Sequence, residues 1–148
     1  MIRPLVLVLG AFFLLGAAEK PPSLLRIHLQ APEGAKGQSS IPVTLFDPAQ
    51  TIAIQTVPEV TEKDIRTVLG QADGTTLVSL DDFGRTKLEM ATSTGRGLIL
   101  VVIVNSRVVY APLIDTSIAN GAIILPAGAI FPEEMEAFNR EAAKKRRN

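Results

Sequence analysis

The sequence predicts an α+β fold in which antiparallel strands carry helices on one face. Apolar residues alternate with polar ones at Leu25, Ile27 and Leu29, and again at Ile41, Val43 and Leu45. That period of two marks half-buried strands. Later stretches place helix-start chemistry ahead of apolar residues at helical spacing, at Asp81–Asp82 and at Pro132–Glu134. Between them Leu98–Val104 is apolar at every position, turns at Asn105–Ser106 and returns as Val108–Ala111.

The elements follow in chain order. Arg3, the apolar stretch Leu5–Leu15 and the small residues Gly16, Ala17 and Ala18 have the order of a secretory signal. The apolar run is shorter than the roughly 20 residues a spanning helix needs. Residues 1–18 are therefore expected to be cleaved after Ala18, leaving a periplasmic or otherwise exported protein. An uncleaved leader would instead anchor it to the membrane, the one expected form of membrane contact. Residues 19–60 read as a linker, opened by Pro21–Pro22, and N-terminal strands; residues 61–148 read as the α+β module. Thr51–Val57 is a third extended run.

Thr61 to Asp64 carries a capping-box signal, and Ile65, Val68 and Leu69 fall on one helical face, so a helix is expected up to Gly70. Thr75–Leu80 reads as a strand. The helix after it runs to about Thr92, with Leu80, Gly84, Leu88 and Ala91 on one side. Gly84 costs roughly 1 kcal/mol against Ala in mid-helix, so a close neighbour is expected there. Gly95 stops the helix. Leu98–Val104 lacks a polar face, so both of its faces should be covered, one by helices and the other by the N-terminal strands or a second protein. Asn tolerates the positive φ of a tight turn. Ala122–Leu125 is a further strand. Pro132 suits a first helical turn, Glu133 and Glu134 suit the positive helix end, and Met135, Phe138 and Ala142 form the buried stripe. Lys144–Arg147 reads as a solvated terminus.

Composition narrows the function. Fifteen basic and fifteen acidic residues balance, which argues against nucleic acid as a partner. The chain has no Cys and one His, so disulfides are excluded, and no metal site or cofactor is expected. His28 falls on the polar face of its strand and is expected in solvent. Asp81–Asp82 and Glu133–Glu134 are adjacent pairs at helix starts, which capping and the helix dipole explain; two-carboxylate hydrolysis needs facing groups. No nucleophile elbow or phosphate loop is present. The residues therefore point away from an enzyme and toward binding. The exposed edge of the hairpin could take up extended polypeptide, with Arg107 and Tyr110 as candidate contacts near its tip. A self-assembling homodimer, burying the second face of Leu98–Val104, is the alternative.

The order of signals from Ser79 onward resembles the head part of the first large periplasmic domain of SecD, the accessory subunit of bacterial protein export. Leu80, Asp81, Gly84, Lys87, Leu88 and Thr92 carry the resemblance in the helix, and Val104, Val108, Ala111, Pro112 and Ile114 in the hairpin. Ile118, Gly121 and Phe131–Glu134 continue it, so that it spans Thr61 to Ala143. The family's hairpin usually turns on Asp-Gly; here Asn105–Ser106 takes that place. The membrane helices of SecD have no counterpart in this stretch, so the translocase step is not expected of it. The resemblance implies a ferredoxin-like α+β module and contact with polypeptide or another envelope protein.

Overall fold

A computed structural model describes residues 22–34, 39–46 and 48–148. The leader and the expected cleavage point after Ala18 lie outside the described residues, as does Asp47. In chain order the elements are β1 (Leu25–Leu29), β2 (Ser40–Phe46), β3 (Ala49–Gln55), β4 (Val60–Thr61), β5 (Ile65–Gly70), β6 (Thr76–Leu80), α1 (Asp82–Thr94), β7 (Leu100–Val104), β8 (Arg107–Tyr110), β9 (Ala122–Leu125) and α2 (Pro132–Lys145). The α+β class is as expected, with antiparallel pairing throughout. The strands sort into a four-stranded sheet, β4-β1-β7-β8, a three-stranded sheet, β5-β6-β9, and the β2–β3 ribbon.

The core lies between the two larger sheets and the helices. Leu25, Ile27, Val60, Leu100, Val102 and Val104 enter it from the first sheet, Val68, Val78, Ile123 and Leu125 from the second, and Leu88 and Phe138 from the helices. Each fully buried aliphatic side chain stabilises the fold by about 1.5–3 kcal/mol. Asp81 caps α1, its Oδ1 accepting from the Gly84 N–H at 2.8 Å. Gly84 has the expected close neighbour: a Cβ there would sit 2.7 Å from the Asp64 Cβ and 3.2 Å from the Asp64 carbonyl oxygen. The hairpin turn has positive φ at both central residues, 46° at Asn105 and 68° at Ser106. This is the mirror-image turn that matches strand twist. Bridging continues past β8, where Ile99 lies opposite Leu113.

The helix expected from Thr61 to Gly70 is a correction. The capping box forms, with the Thr61 N–H donating to Asp64 Oδ2 at 3.0 Å. It serves only one 3-10 turn, Glu62–Asp64, after which Ile65 is extended at φ −71°, ψ 131°. Ile65, Thr67 and Val68 are β-branched and favour a pleated surface. Pairing with β6 and packing by α2 then fix the segment as β5.

His28 is a second correction. It is 4% exposed, and its Nδ1 lies 2.8 Å from the Gln55 carbonyl oxygen. The ribbon explains this. The Ala31 N–H donates to the Ala53 carbonyl, and Gln30 bridges to Ile54, so β3 closes over the end of β1. Val101, opposite His28, is fully buried as well. The second face of β7 is thus covered at Val101 by the N-terminal strands, the first of the two expected alternatives, while Ile103 on the same face is half-buried. The basic tail is tied down in part: Lys145 Nζ donates to the Lys63 carbonyl and to Asp81 Oδ2, both at 2.7 Å.

Candidate functional site

The outer strand of an antiparallel sheet leaves backbone donors and acceptors that need a partner, a cover or water. Among the described residues the outer strands of the two larger sheets are β4, β8, β5 and β9. The fold treats them differently.

β5 is covered. α2 lies along it, and Asn139 replaces the missing strand: its Oδ1 accepts from the Val68 N–H and its Nδ2 donates to the Val68 carbonyl, each at 2.8 Å. β9 is blunted. The Leu80 N–H donates to the Gly121 carbonyl, so alternation turns the backbone groups of Ala122 and Ile124 outward. Asn120 Oδ1 takes the Ala122 N–H at 3.1 Å. Pro126 has no N–H, and its carbonyl accepts from Ala129 at 3.1 Å. β4 is two residues long.

β8 stays open. The Leu100 N–H donates to the Pro112 carbonyl at 2.9 Å, so Val102 and Val104 also face this strand, opposite Tyr110 and Arg107. Val108, opposite Ile103, and Ala111 then present their backbone groups outward. A register shift between Val102 and Ile103 leaves Val109 without a partner, and Pro112 follows. A bulge and a proline are features of edge strands. Apolar side chains flank the edge: Leu113 is 63% exposed beyond one end, and Phe131 is 49% exposed beside the other.

Arg107 is held in place. Its guanidinium bonds both carboxylate oxygens of Glu134, at 2.6 and 2.8 Å, and stacks 4.3 Å from the centre of the Phe131 ring. Glu134 also accepts from Asn105 Nδ2 at 2.8 Å and from the Phe131 N–H at 2.9 Å. Burial pushes the Glu134 carboxyl up, but the Phe131 N–H, the Asn105 amide and the Arg107 guanidinium outweigh it and hold the group below its ordinary value. Arg107 thus clamps the hairpin turn to the start of α2 and presents the Phe131 ring at the edge. Tyr110 lies at the other end of β8, opposite Val102, packed against the core. The structure does not bring Arg107 and Tyr110 together at the tip.

The polar cluster at the opposite ends of the helices is also structural. Lys87 pairs with the buried Asp64 at 2.6 Å, and Lys145 pairs with Asp81 at 2.7 Å. Burial raises the Asp81 carboxyl, yet the Lys145 ammonium and the Gly84 N–H bring it below its usual range. Among the described residues no three His, Cys, Asp or Glu side chains gather as metal ligands. No described helix is long and apolar enough to cross a membrane. Val108, Ala111, Phe131 and Leu113, the groups that define the open edge, were not singled out as binding residues from sequence. Pro112 was the available signal, since proline within a strand marks an edge. Asn139 gives no such signal.

No protein-family profile and no curated protein sequence matches the chain. Solved structures do. One is SecDF in its super-membrane-facing form, at 14% identity and a TM-score of 0.57, covering 79% of this chain and 18% of that one. Another is described as a membrane component SecDF that enhances protein export, at 15% identity and a TM-score of 0.55, covering 82% of this chain and 62% of that one. The chain spans less than two thirds of either protein, and the likeness reaches beyond the stretch that resembled SecD in sequence. The fold of this chain is that of a portion of SecDF.

Proposed function

We propose that the chain is an exported, non-enzymatic binding module that takes extended polypeptide onto the outer edge of β8. The observation that carries this reading is the contrast among edges. β5 is covered by α2 and Asn139, and β9 has its Ala122 N–H taken by Asn120 and ends at Pro126, whereas β8 turns Val108 and Ala111 to the outside. An incoming strand would bond those groups and rest apolar side chains on Phe131 and Leu113. The shared fold with a protein described as enhancing protein export agrees with polypeptide as the partner. His28 and the carboxylates Asp64, Asp81 and Glu134 are all engaged in structural bonds, which favours binding over catalysis.

The test is fluorescence anisotropy with a labelled peptide of alternating Val and Thr. Val108→Pro removes an outward N–H that the fold does not use. It should weaken binding about tenfold or more, equivalent to ~1.4 kcal/mol, with the thermal midpoint retained. Ile124→Pro on the blunted β9 edge should leave binding unchanged. Equal affinity in both variants overturns β8 as the site. N-terminal sequencing of the product recovered from cells tests the exported location; a chain still beginning at Met1 would overturn cleavage after Ala18.

A further inference from the structure

The ribbon β2–β3 presents a different edge. β3 spends its outer groups on the body: the carbonyls of Ala53 and Gln55 accept from the Ala31 N–H and lie against His28 Nδ1. Among the described residues β2 has no such cover. The Thr56 N–H donates to the Ser39 carbonyl, so alternation turns Ile41, Val43 and Leu45 toward β3, and Pro42, Thr44 and Phe46 outward. The side chains of these three outward residues share one face, and Phe46 is 83% exposed. Neither strand contains a charged residue, although 20% of the chain is charged. Natural edges are usually guarded by charge, a bulge or a cover.

We infer that the β2 edge pairs with the β2 edge of a second copy of this chain, antiparallel, across a two-fold axis at Thr44. The donors and acceptors match under that axis. Thr44 exchanges both backbone bonds with its mate. Two residues away on either side, the Phe46 N–H meets the Pro42 carbonyl of the other copy. Proline supplies the acceptor there and lacks a donor, so the pairing gives four backbone bonds, from two at Thr44 and two at Phe46. The same register seats each exposed Phe46 ring against Pro42 of the mate and sets Thr beside Thr, a favourable cross-strand pair. An uncharged strand meets its own copy without like charges facing each other. A two-fold contact also closes, because β3 is already occupied, and yields a dimer in place of a fibre.

The chain has no Cys, so a single introduced one reports the axis. In this register the two residues at 44 lie about 5.5 Å apart between Cα atoms, a spacing a disulfide accepts. Thr44→Cys in the full chain should form a covalent dimer on mild oxidation. Thr51→Cys is the control: Thr51 lies opposite Thr44 within the ribbon. Its mate would be roughly 14 Å away, three strand spacings, and its yield should be at least tenfold lower. Equal yields overturn the register. Light scattering gives the second measure: a doubled mass for the parent chain should become the monomer mass in Thr44→Pro, which removes an outward N–H that the ribbon does not use. A parent chain that stays monomeric at high concentration, or a doubled mass that persists in Thr44→Pro, overturns the interface. Neither result depends on peptide uptake at β8.

Discussion

The molecule contains two β-hairpins in different surroundings. β7–β8 has its first strand in the middle of the four-stranded sheet, with Leu100, Val101, Val102 and Val104 all buried. Among the described residues β2–β3 is attached along its β3 side, and Leu45 and Ile54 are its buried residues. Both are antiparallel pairs of strands adjacent in the chain. The difference is what lies on their faces and edges, and it shows that pairing makes a strand while covering gives it a role. The covered hairpin supports the fold and exposes a single edge. The ribbon adds little to the core and, among the described residues, leaves an uncharged edge unpaired.

That comparison is open to direct attack. Leu100→Ala should have the largest effect, a loss of about 3 kcal/mol from a filled core position. Phe46→Ala on the ribbon should fall within about 0.5 kcal/mol in the monomer. Urea unfolding of both variants measures the contrast, and similar losses would mean that the ribbon is part of the core. His28→Ala comes next. It removes the ring that joins β1 to the partly buried Gln55 carbonyl, at a cost of about 1–2 kcal/mol. Hydrogen exchange should speed up across β2 and β3 ahead of β7 and β8.

The Arg107–Glu134 clamp is smaller. Glu134→Gln should cost about 1 kcal/mol, at the low end for a charged hydrogen bond because Arg107 is half exposed. Its pH dependence has a definite sign. The folded carboxyl titrates below its ordinary value, so the contribution is complete above roughly pH 4.3 and is lost as pH falls through the folded value. Glu134→Gln should flatten that acid arm of the stability curve, measured by urea midpoints across pH. Ser106→Gly should act in the other direction. Ser106 holds φ 68°, so glycine there should stabilise the turn by about 0.5–1 kcal/mol. A gain confined to unfolding midpoints, with no change in peptide affinity, would separate the turn from the β8 edge.

Much of the architecture was legible in the residues. Alternation identified β1 and β2, Asp81 and Pro132 marked both helix starts, and the unbroken apolar run with Asn105–Ser106 located the central hairpin. Gly84 pointed to a close neighbour, which is Asp64. The misreadings have a common origin. Ile65, Val68 and Leu69 fit a helical face and a strand about equally well over so short a span, and the capping box at Thr61 supports a single turn as readily as a long helix. His28 alternates correctly as a polar residue, but alternation says nothing of a ribbon folding back over the second face. The open edge was less legible still. Which of several strands lacks a partner depends on Asn139, Asn120 and Pro126 reaching particular backbone groups.

By itself the sequence determined the elements with strong periodicity, the caps, the tight turn, and the absence of cysteine and of a basic field. Those are local or compositional properties, set by backbone sterics, side-chain reach along a few residues, and total charge. The tertiary structure alone decided that His28 is buried, that residues 65–70 are a strand, that Arg107 is a clamp, and that β8 and β2 are outer strands among the described residues. Each of these depends on contacts between residues far apart in the chain, and a backbone group is open or closed only with respect to what packing brings beside it.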